Sequence, residues 1–226
     1  LAQLKQMQER VLTSTEEELN RSKMEILSGL MRLRQICDTP ALFMEDYHGE
    51  SGKLESLLEL LEQIQTGSHR VLIFSQFRGM LDIIEKELKK MKMETFKITG
   101  STPAKERQEM TNAFNNGEGD AFLISLKAGG VGLNLTGADT VILVDLWWNP
   151  AVESQAIGRA HRMGQERNVE VYRLITRGTI EEKIQELQES KRHLVSTILD
   201  GTESRSSLTV AEIREILGIS TETLEK

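Results

Sequence analysis

Residues 122–150 have the sequence FLISLKAGGVGLNLTGADTVILVDLWWNP. Two apolar runs, FLI at 122–124 and VILV at 141–144, enclose a glycine-rich segment, and neither run alternates with polar residues. Such runs are typical of strands in a parallel sheet that is covered on both faces. The stretch therefore predicts an α/β fold, a parallel sheet with helices on both faces.

The chain around this stretch alternates between helical and strand patterns. Gly67 and the Asn116-Gly117 pair are typical helix ends, and Thr102 before Pro103 is a typical helix start. Helices are predicted at 53–66, at 79–92, from Thr102 to about Asn116 and from about residue 150. Strands are predicted at 70–74, 95–98, 121–124, 140–144 and 169–175.

The two ends of the chain carry apolar residues at helical spacing without strand patterns. Residues 1–36 predict two helices, the second stopped by Pro40, and residues 179–199 predict a long one. We expect capping boxes at Ser14 with Glu17, Thr179 with Glu182 and Thr209 with Glu212. The predicted organisation is a helical segment at 1–50, an α/β lobe at 51–177 and a C-terminal helical segment at 178–226.

The composition is that of a protein with one substantial core: 226 residues, 38% of them apolar. A net charge of −7 argues against a nucleic-acid binder as a bulk property, but residues 159–177 hold five arginines against two acids. The single cysteine, Cys37, excludes an internal disulfide. Because no membrane span or signal pattern is evident, we expect no membrane partner and a cytoplasmic location. The chain begins at Leu1 within a helical pattern, so we expect a fragment.

Polar and glycine residues follow the predicted strands at 75–76, 99–101, 125–132 and 145–149. Ligands of doubly wound sheets bind at these carboxyl ends of the strands. The glycine-rich loop 125–135 suits an anion, because glycines let backbone amides approach a phosphate closely. A dinucleotide site is excluded because Leu135 stands where the third glycine of GxGxxG would be. No GxxxxGK[ST] loop occurs, so this lobe alone does not cradle a triphosphate.

The segment QAIGRAHRMGQ at 155–165 places Arg159 and Arg162 one helical turn apart. Two adjacent guanidinium groups suit a polyphosphate. The alternative is a surface helix whose arginines pair with Glu153 or Glu166. His161 is interpreted as a structural hydrogen bonder, with no metal site, because no second histidine or cysteine stands at metal-ligand spacing.

Trp147 and Trp148 are the only tryptophans. If they lie on a strand end, consecutive side chains point to opposite faces, so one enters the core and the other faces a cleft. The alternative is that both pack in the core.

These segments, with VLIFSQFRGMLDII at 71–84, ITGSTPAKERQEM at 98–110 and RQICDTPALF at 34–43, closely resemble the second, RecA-like helicase lobe of the Swi/Snf family of superfamily-two DNA translocases. The resemblance spans most of residues 34–200. It implies a two-lobed motor that uses ATP with Mg²⁺, bound mainly by a first RecA-like lobe, and that acts on double-stranded DNA.

The resemblance also implies roles for individual residues. Arg159 and Arg162 would reach the ATP phosphates, and the aromatic pair Trp147 and Trp148 would lie against the duplex. Residues near the nucleotide would be Gln155, Gly130, Gly132 and Asn134. Residues that line the track of one DNA strand would be Ser75, Gln76, Arg78, Thr99, Gly100, Ser101 and Lys127.

Two alternatives remain open at this point. The chain could be the lobe of an RNA or DNA helicase of the same superfamily, or a non-catalytic scaffold module that keeps the fold. By the resemblance, the expected partners are the first lobe, DNA, and DNA-bound proteins or RNA polymerase. The expected location is the nucleoid of a bacterium or the nucleus of a eukaryote.

Overall fold

The computed structural model describes residues 2–44, 46–126, 133–160, 168–197 and 208–219. The chain divides into two compact units. We call residues 48–146 with 151–175 the α/β unit. We call residues 1–47, 147–150 and 176–226 the helical unit.

The α/β unit contains a parallel sheet. Its strands are β1 (Val71–Ser75), β2 (Thr95–Ile98), β3 (Ala121–Ser125), β4 (Thr140–Leu143) and β5 (Glu170–Arg173). The strand order is β2-β3-β1-β4-β5, and all four pairings are parallel. The α/β fold with a parallel sheet is therefore confirmed, and every predicted strand exists within two residues of its predicted bounds.

The central strands are buried along their whole length. All residues of β1, β3 and β4 are buried, whereas the edge strands β2 and β5 are mostly half-buried or exposed. Full burial explains why the central strands lack polar alternation in the sequence. Phe96, Phe114 and Phe122 pack against one another in the core, with ring centroids 5.2–6.4 Å apart.

The helices of the α/β unit are α4 (Gly52–Thr66), α5 (Arg78–Lys90), α6 (Ala104–Asn115) and α7 (Pro150–Ile157), the last of which begins at a residue of the helical unit. Three of the four agree closely with the sequence patterns. The predicted cap of α6 is wrong by one position, because Pro103 occupies the cap and the Thr102 hydroxyl accepts a hydrogen bond from the Thr99 amide at 3.0 Å instead.

The helical unit contains α1 (Ala2–Thr13), α2 (Glu16–Arg21), α3 (Lys23–Asp38), α8 (Ile180–Thr197) and α9 (Val210–Ile216). Residues 1–36 thus form three helices rather than two, because Ser22 ends one helix and begins the next. The predicted capping box at Ser14 is displaced by one residue, to Thr15 with Glu18. At α8, Glu182 accepts from Gly178 rather than from Thr179.

The predicted capping box of Thr209 with Glu212 is confirmed at the start of α9. Glu212 also accepts a hydrogen bond from Lys191 at 2.8 Å. Burial by itself would raise the pKa of Glu212, but the bonds from Lys191 and Thr209 outweigh it and hold the pKa below its ordinary value of 4.5.

We expect the Glu212→Gln substitution to lower stability at neutral pH and to have no such effect in acid. A carboxylate with a depressed folded-state pKa stabilises above its unfolded pKa, and this stabilisation is lost as pH falls through the folded pKa. Urea unfolding of the chain at pH 7 and pH 3 measures the difference. Glu215→Gln, an equal charge change at an exposed position of the same helix, is the control. An equal loss for both variants would contradict the prediction.

Within the described residues, no helix combines the length and hydropathy that a membrane crossing requires.

Candidate functional site

The strand order lines up the predicted DNA-contact segments along one edge of the sheet. The carboxyl ends of β1 and β3 are in register at Ser75 and Ser125, and the last residue of β2, Ile98, pairs with Ile124. Since β3 lies between β2 and β1, the segments that follow these three strands are neighbours. Segments 99–101, 125–126 and 75–78 therefore lie side by side, and we call them the polar edge for the polar residues and the glycine that they contain.

At the end of β1, a buried carboxylate holds two of the predicted residues. Asp145 is 1% exposed and accepts hydrogen bonds from the Ser75 hydroxyl, from the Gln76 amide at 3.2 Å and from the Gln76 side chain at 2.5 Å. The Ser75 side chain is fully buried, so its hydroxyl faces Asp145 rather than solvent. Arg78, the first residue of α5, is exposed.

At the end of β2, an arginine holds the turn that contains Thr99, Gly100 and Ser101. Arg107 of α6 donates to the carbonyl oxygens of Thr102 at 2.7 Å, Thr99 at 3.2 Å and Gly100 at 3.1 Å. The Thr99 and Ser101 hydroxyls are 3.0 Å apart. Thr99 is buried, whereas Gly100 and Ser101 are exposed.

Arg159 lies just beyond α7, not on it. The helix ends at Ile157, and the amides of Arg159 and Ala160 bond to the carbonyl groups three residues earlier. The prediction that one helix continues through Arg159 and Arg162 is therefore wrong at Arg159. The last turn there has hydrogen bonds between residues three apart, as in a 3₁₀-helix.

The Arg159 side chain is buried at 2% exposure, and its Nη1 lies 3.5 Å from the carbonyl oxygen of Leu133. The backbone carbonyl of Arg159 accepts from the Leu135 amide at 2.9 Å. These two contacts join the arginine to the end of the glycine-rich loop. Asn134, between them, is exposed, as is Gln155 on α7.

Several predicted residues lie outside the described part of the chain. They are Lys127, Gly130, Gly132, His161 and Arg162.

Trp147 and Trp148 lie in the helical unit, four and five residues beyond the end of β4. Their rings stack, with centroids 4.3 Å apart and an interplanar angle of 29°. The prediction that they point to opposite sides is wrong, because the alternation of side chains applies only within an extended strand. Trp148 is 7% exposed and Trp147 is partly exposed.

The sequence analysis missed three residues that hold the predicted site residues in place: Asp145, Arg107 and Arg34. Asp145 had a usable signal, since it directly follows the apolar run VILV at 141–144 and a buried carboxylate is rarely without partners. Arg107 and Arg34 lie within helices, where an arginine is ordinarily a solvated residue, so only the tertiary structure reveals them.

In the described part of the chain, no group of three or more His, Cys, Asp or Glu residues could hold a metal ion.

Residues 52–164 match the family model described as the helicase conserved C-terminal domain. The chain is also similar to the solved C-terminal domain of the SWI2/SNF2 ATPase of Sulfolobus solfataricus. The identity is 33%, the TM-score is 0.72, and the match covers 97% of this chain and 91% of that one. The chain belongs to the Swi/Snf family.

Other Swi/Snf structures and sequences agree. The Sulfolobus solfataricus SWI2/SNF2 ATPase core in complex with double-stranded DNA is 34% identical, with a TM-score of 0.75, and the match covers 97% of this chain and 47% of that chain. The chain is 44% identical over 201 residues to YwqA of Bacillus subtilis, covering 86% of the chain and 22% of YwqA.

A eukaryotic relative gives a similar result. The chain is 44% identical over 190 residues to the mouse SWI/SNF-related matrix-associated actin-dependent regulator of chromatin subfamily A member 1. That match covers 78% of the chain and 18% of the mouse protein. The chain thus spans about a fifth of the length of these relatives.

Proposed function

We propose that this chain is the C-terminal motor lobe of an ATP-dependent double-stranded-DNA translocase. The lobe grips the backbone of one DNA strand and supplies Arg159 and Arg162 to ATP that is held mainly by a first RecA-like lobe. The observation that carries the proposal is the polar edge formed by the segments that follow β2, β3 and β1.

The chemistry of the polar edge suits a sugar-phosphate backbone. It offers the exposed Gly100, Ser101 and Arg78, the last at the first turn of α5, and Gln76 lies in the same segment with its backbone and side-chain amides donating to Asp145. Amide donors, hydroxyl groups and a helix N-terminus bind phosphates without reading base sequence. A motor that moves along any DNA needs a grip of this kind.

The two arginines suit the phosphate chain of a nucleotide. A guanidinium stays protonated and donates in a planar fork that matches phosphate oxygens. A cation supplied across a cleft stabilises the charge that develops on a transferring phosphoryl group. The Mg²⁺ that accompanies ATP belongs, in this proposal, to the first lobe.

In its described position, the Arg159 guanidinium is directed toward Leu133 of its own lobe. We therefore propose that Arg159 orders the glycine-rich loop as well as reaching the nucleotide.

Two further proposals concern the partners and the location of the parent protein, by which we mean the two-lobed motor that would contain this chain. Its other partners are DNA-bound proteins or RNA polymerase that the moving motor displaces. Its location is the bacterial nucleoid or the eukaryotic nucleus. The alternatives are a helicase of the same superfamily that acts on RNA or single strands, and a non-catalytic scaffold module.

The type of nucleic acid that stimulates ATP turnover in the parent protein distinguishes these alternatives. We expect duplex DNA to stimulate turnover most, because the similar Sulfolobus solfataricus ATPase core is in complex with double-stranded DNA. Steady-state ATPase rates with duplex DNA, single-stranded DNA, RNA and no nucleic acid measure this directly. Stimulation only by RNA or single strands would indicate a helicase, and no ATP turnover would indicate a scaffold.

A further inference from the structure

The tryptophan pair is held by residues of the helical unit. Trp147 and Trp148 stack on each other, and Arg34 of α3 lies against both rings. The guanidinium carbon is 5.3 Å from the centroid of Trp147 and 5.2 Å from that of Trp148. One planar cation therefore contacts two indole rings at once.

Arg34 is itself almost completely buried, at 1% exposure. Cation–π attraction to tryptophan is the strongest of its kind, and it increases when the cation is removed from water. The flat guanidinium group also stacks on an aromatic face, which the compact ammonium group of lysine does not do. Arg34 thus restricts both the position and the tilt of the pair.

A second helix holds the backbone of the same segment. The side-chain amide of Gln188 in α8 donates a hydrogen bond to the carbonyl oxygen of Trp147. Gln188 is 1% exposed. The Thr176 hydroxyl joins the two sides of this region by donating to the Cys37 carbonyl oxygen at 3.0 Å. Two helices that are distant in sequence therefore meet at the two tryptophans.

Ring contacts, rather than hydrogen bonds from the indole groups, orient Trp148. Its Nε1 atom is buried and has no hydrogen-bond partner among the described residues. A buried donor left without a partner is destabilising, so this ring orientation needs an offsetting interaction. The stack with Trp147 and the contact with Arg34 provide it.

We propose that Arg34 is a positioning residue that holds the Trp147–Trp148 pair in one orientation, and that the response of the motor to duplex DNA depends on this orientation. This inference rests on the proposed function as far as DNA is concerned. The holding contact itself rests on the geometry of the helical unit alone. Arg34 touches neither nucleotide nor DNA in this proposal, and it acts through the two rings.

The intrinsic fluorescence of the 226-residue chain tests the holding contact, because these are its only tryptophans. The Arg34→Met substitution keeps an unbranched, flexible side chain in place of the aliphatic part of the arginine and removes the planar cation. We expect emission at longer wavelength and an acrylamide quenching constant that is higher on the order of twofold, since the rings become free to move into solvent. Unchanged emission and quenching would overturn the proposal.

Arg32 provides the matched control. It lies on α3 two residues before Arg34, it is exposed, and its guanidinium carbon is 5.5 Å from the ring centroid of Phe43 instead of a tryptophan. Arg32→Met makes the same change of charge and helix propensity and should leave the emission as in the wild type. A shift of equal size in both variants would contradict a specific role for Arg34.

A more conservative substitution keeps the proposal testable if Arg34→Met does not fold. If circular dichroism shows that Arg34→Met does not fold, Arg34→Lys decides, because it keeps the charge and loses only the planar fork. We expect quenching in Arg34→Lys to lie above the wild-type value. Wild-type quenching in a folded Arg34→Lys protein would overturn the proposal.

ATP turnover by the parent protein tests whether the position of the tryptophan pair affects the response to duplex DNA. We expect Arg34→Met to reduce the stimulation of ATP turnover by duplex DNA on the order of tenfold, with the KM for ATP within about twofold of wild type. Arg32→Met should keep full stimulation. Full stimulation in Arg34→Met despite altered fluorescence would overturn the positioning role. If the wild type shows no duplex stimulation, the proposed function fails and the coupling role fails with it, while the fluorescence comparison still decides whether Arg34 holds the rings.

Discussion

Replacing Arg162 with alanine in the parent protein is expected to reduce the kcat of duplex-stimulated ATP hydrolysis by about 10³-fold or more, the range of an arginine finger. The guanidinium would stabilise charge that develops only in the transition state, so the loss should fall on kcat more than on KM. Steady-state kinetics at saturating duplex DNA measure the split. Duplex affinity, measured without ATP, should stay within about twofold of wild type, since phosphate contacts elsewhere carry it.

Two comparisons make this result specific. Arg177→Ala removes an equal charge at an exposed position of the helical unit and should retain wild-type kcat. Arg159→Ala should lose both kcat and stability, because Arg159 is buried and its Nη1 lies near the Leu133 carbonyl oxygen. Wild-type turnover in Arg162→Ala would remove the arginine-finger role and favour the scaffold alternative.

The sequence predicted the sheet well because the information needed is local. The apolar run at 71–74 in β1 indicates that both faces of the strand are buried, and the distance in sequence from β1 to β2 indicates the helical crossover α5. The end of α7 could not be predicted in the same way. Whether a helix continues through Gly158 depends on the contacts of Arg159 with the 133–135 segment, and these are tertiary.

The tryptophan pair shows the same limit. Consecutive aromatic residues after a strand are visible in the sequence, but their stacking depends on Arg34, which lies 113 positions before Trp147 and contacts it only in the folded chain. Ser75 is a related case. Its type and position suited a phosphate contact, yet its hydroxyl is buried against Asp145. Residue type alone does not show which atoms of a segment are exposed.

Asp145→Asn is expected to lower the free energy of unfolding by about 2–3 kcal/mol. The buried carboxylate accepts hydrogen bonds from Ser75, from the Gln76 amide and from the Gln76 side chain. Hydrogen bonds to a charged acceptor contribute more than neutral ones, and an amide at this position turns one acceptor into a donor that faces other donors. Urea unfolding of the chain measures the loss.

The substitution should also weaken duplex binding by the parent protein on the order of tenfold, because Gln76 would no longer be held at the polar edge. Asp139→Asn is the matched control. Asp139 is a second buried aspartate, at the opposite end of β4, and it accepts from the Arg70 amide and lies 3.0 Å from His69 Nδ1. Because it lies at the opposite end of the strands from Ser75 and Gln76, its loss should cost stability while duplex affinity stays near wild type. If both variants weaken binding equally at equal stability, Asp145 acts only on the fold, and the segment after β1 is not the grip on DNA.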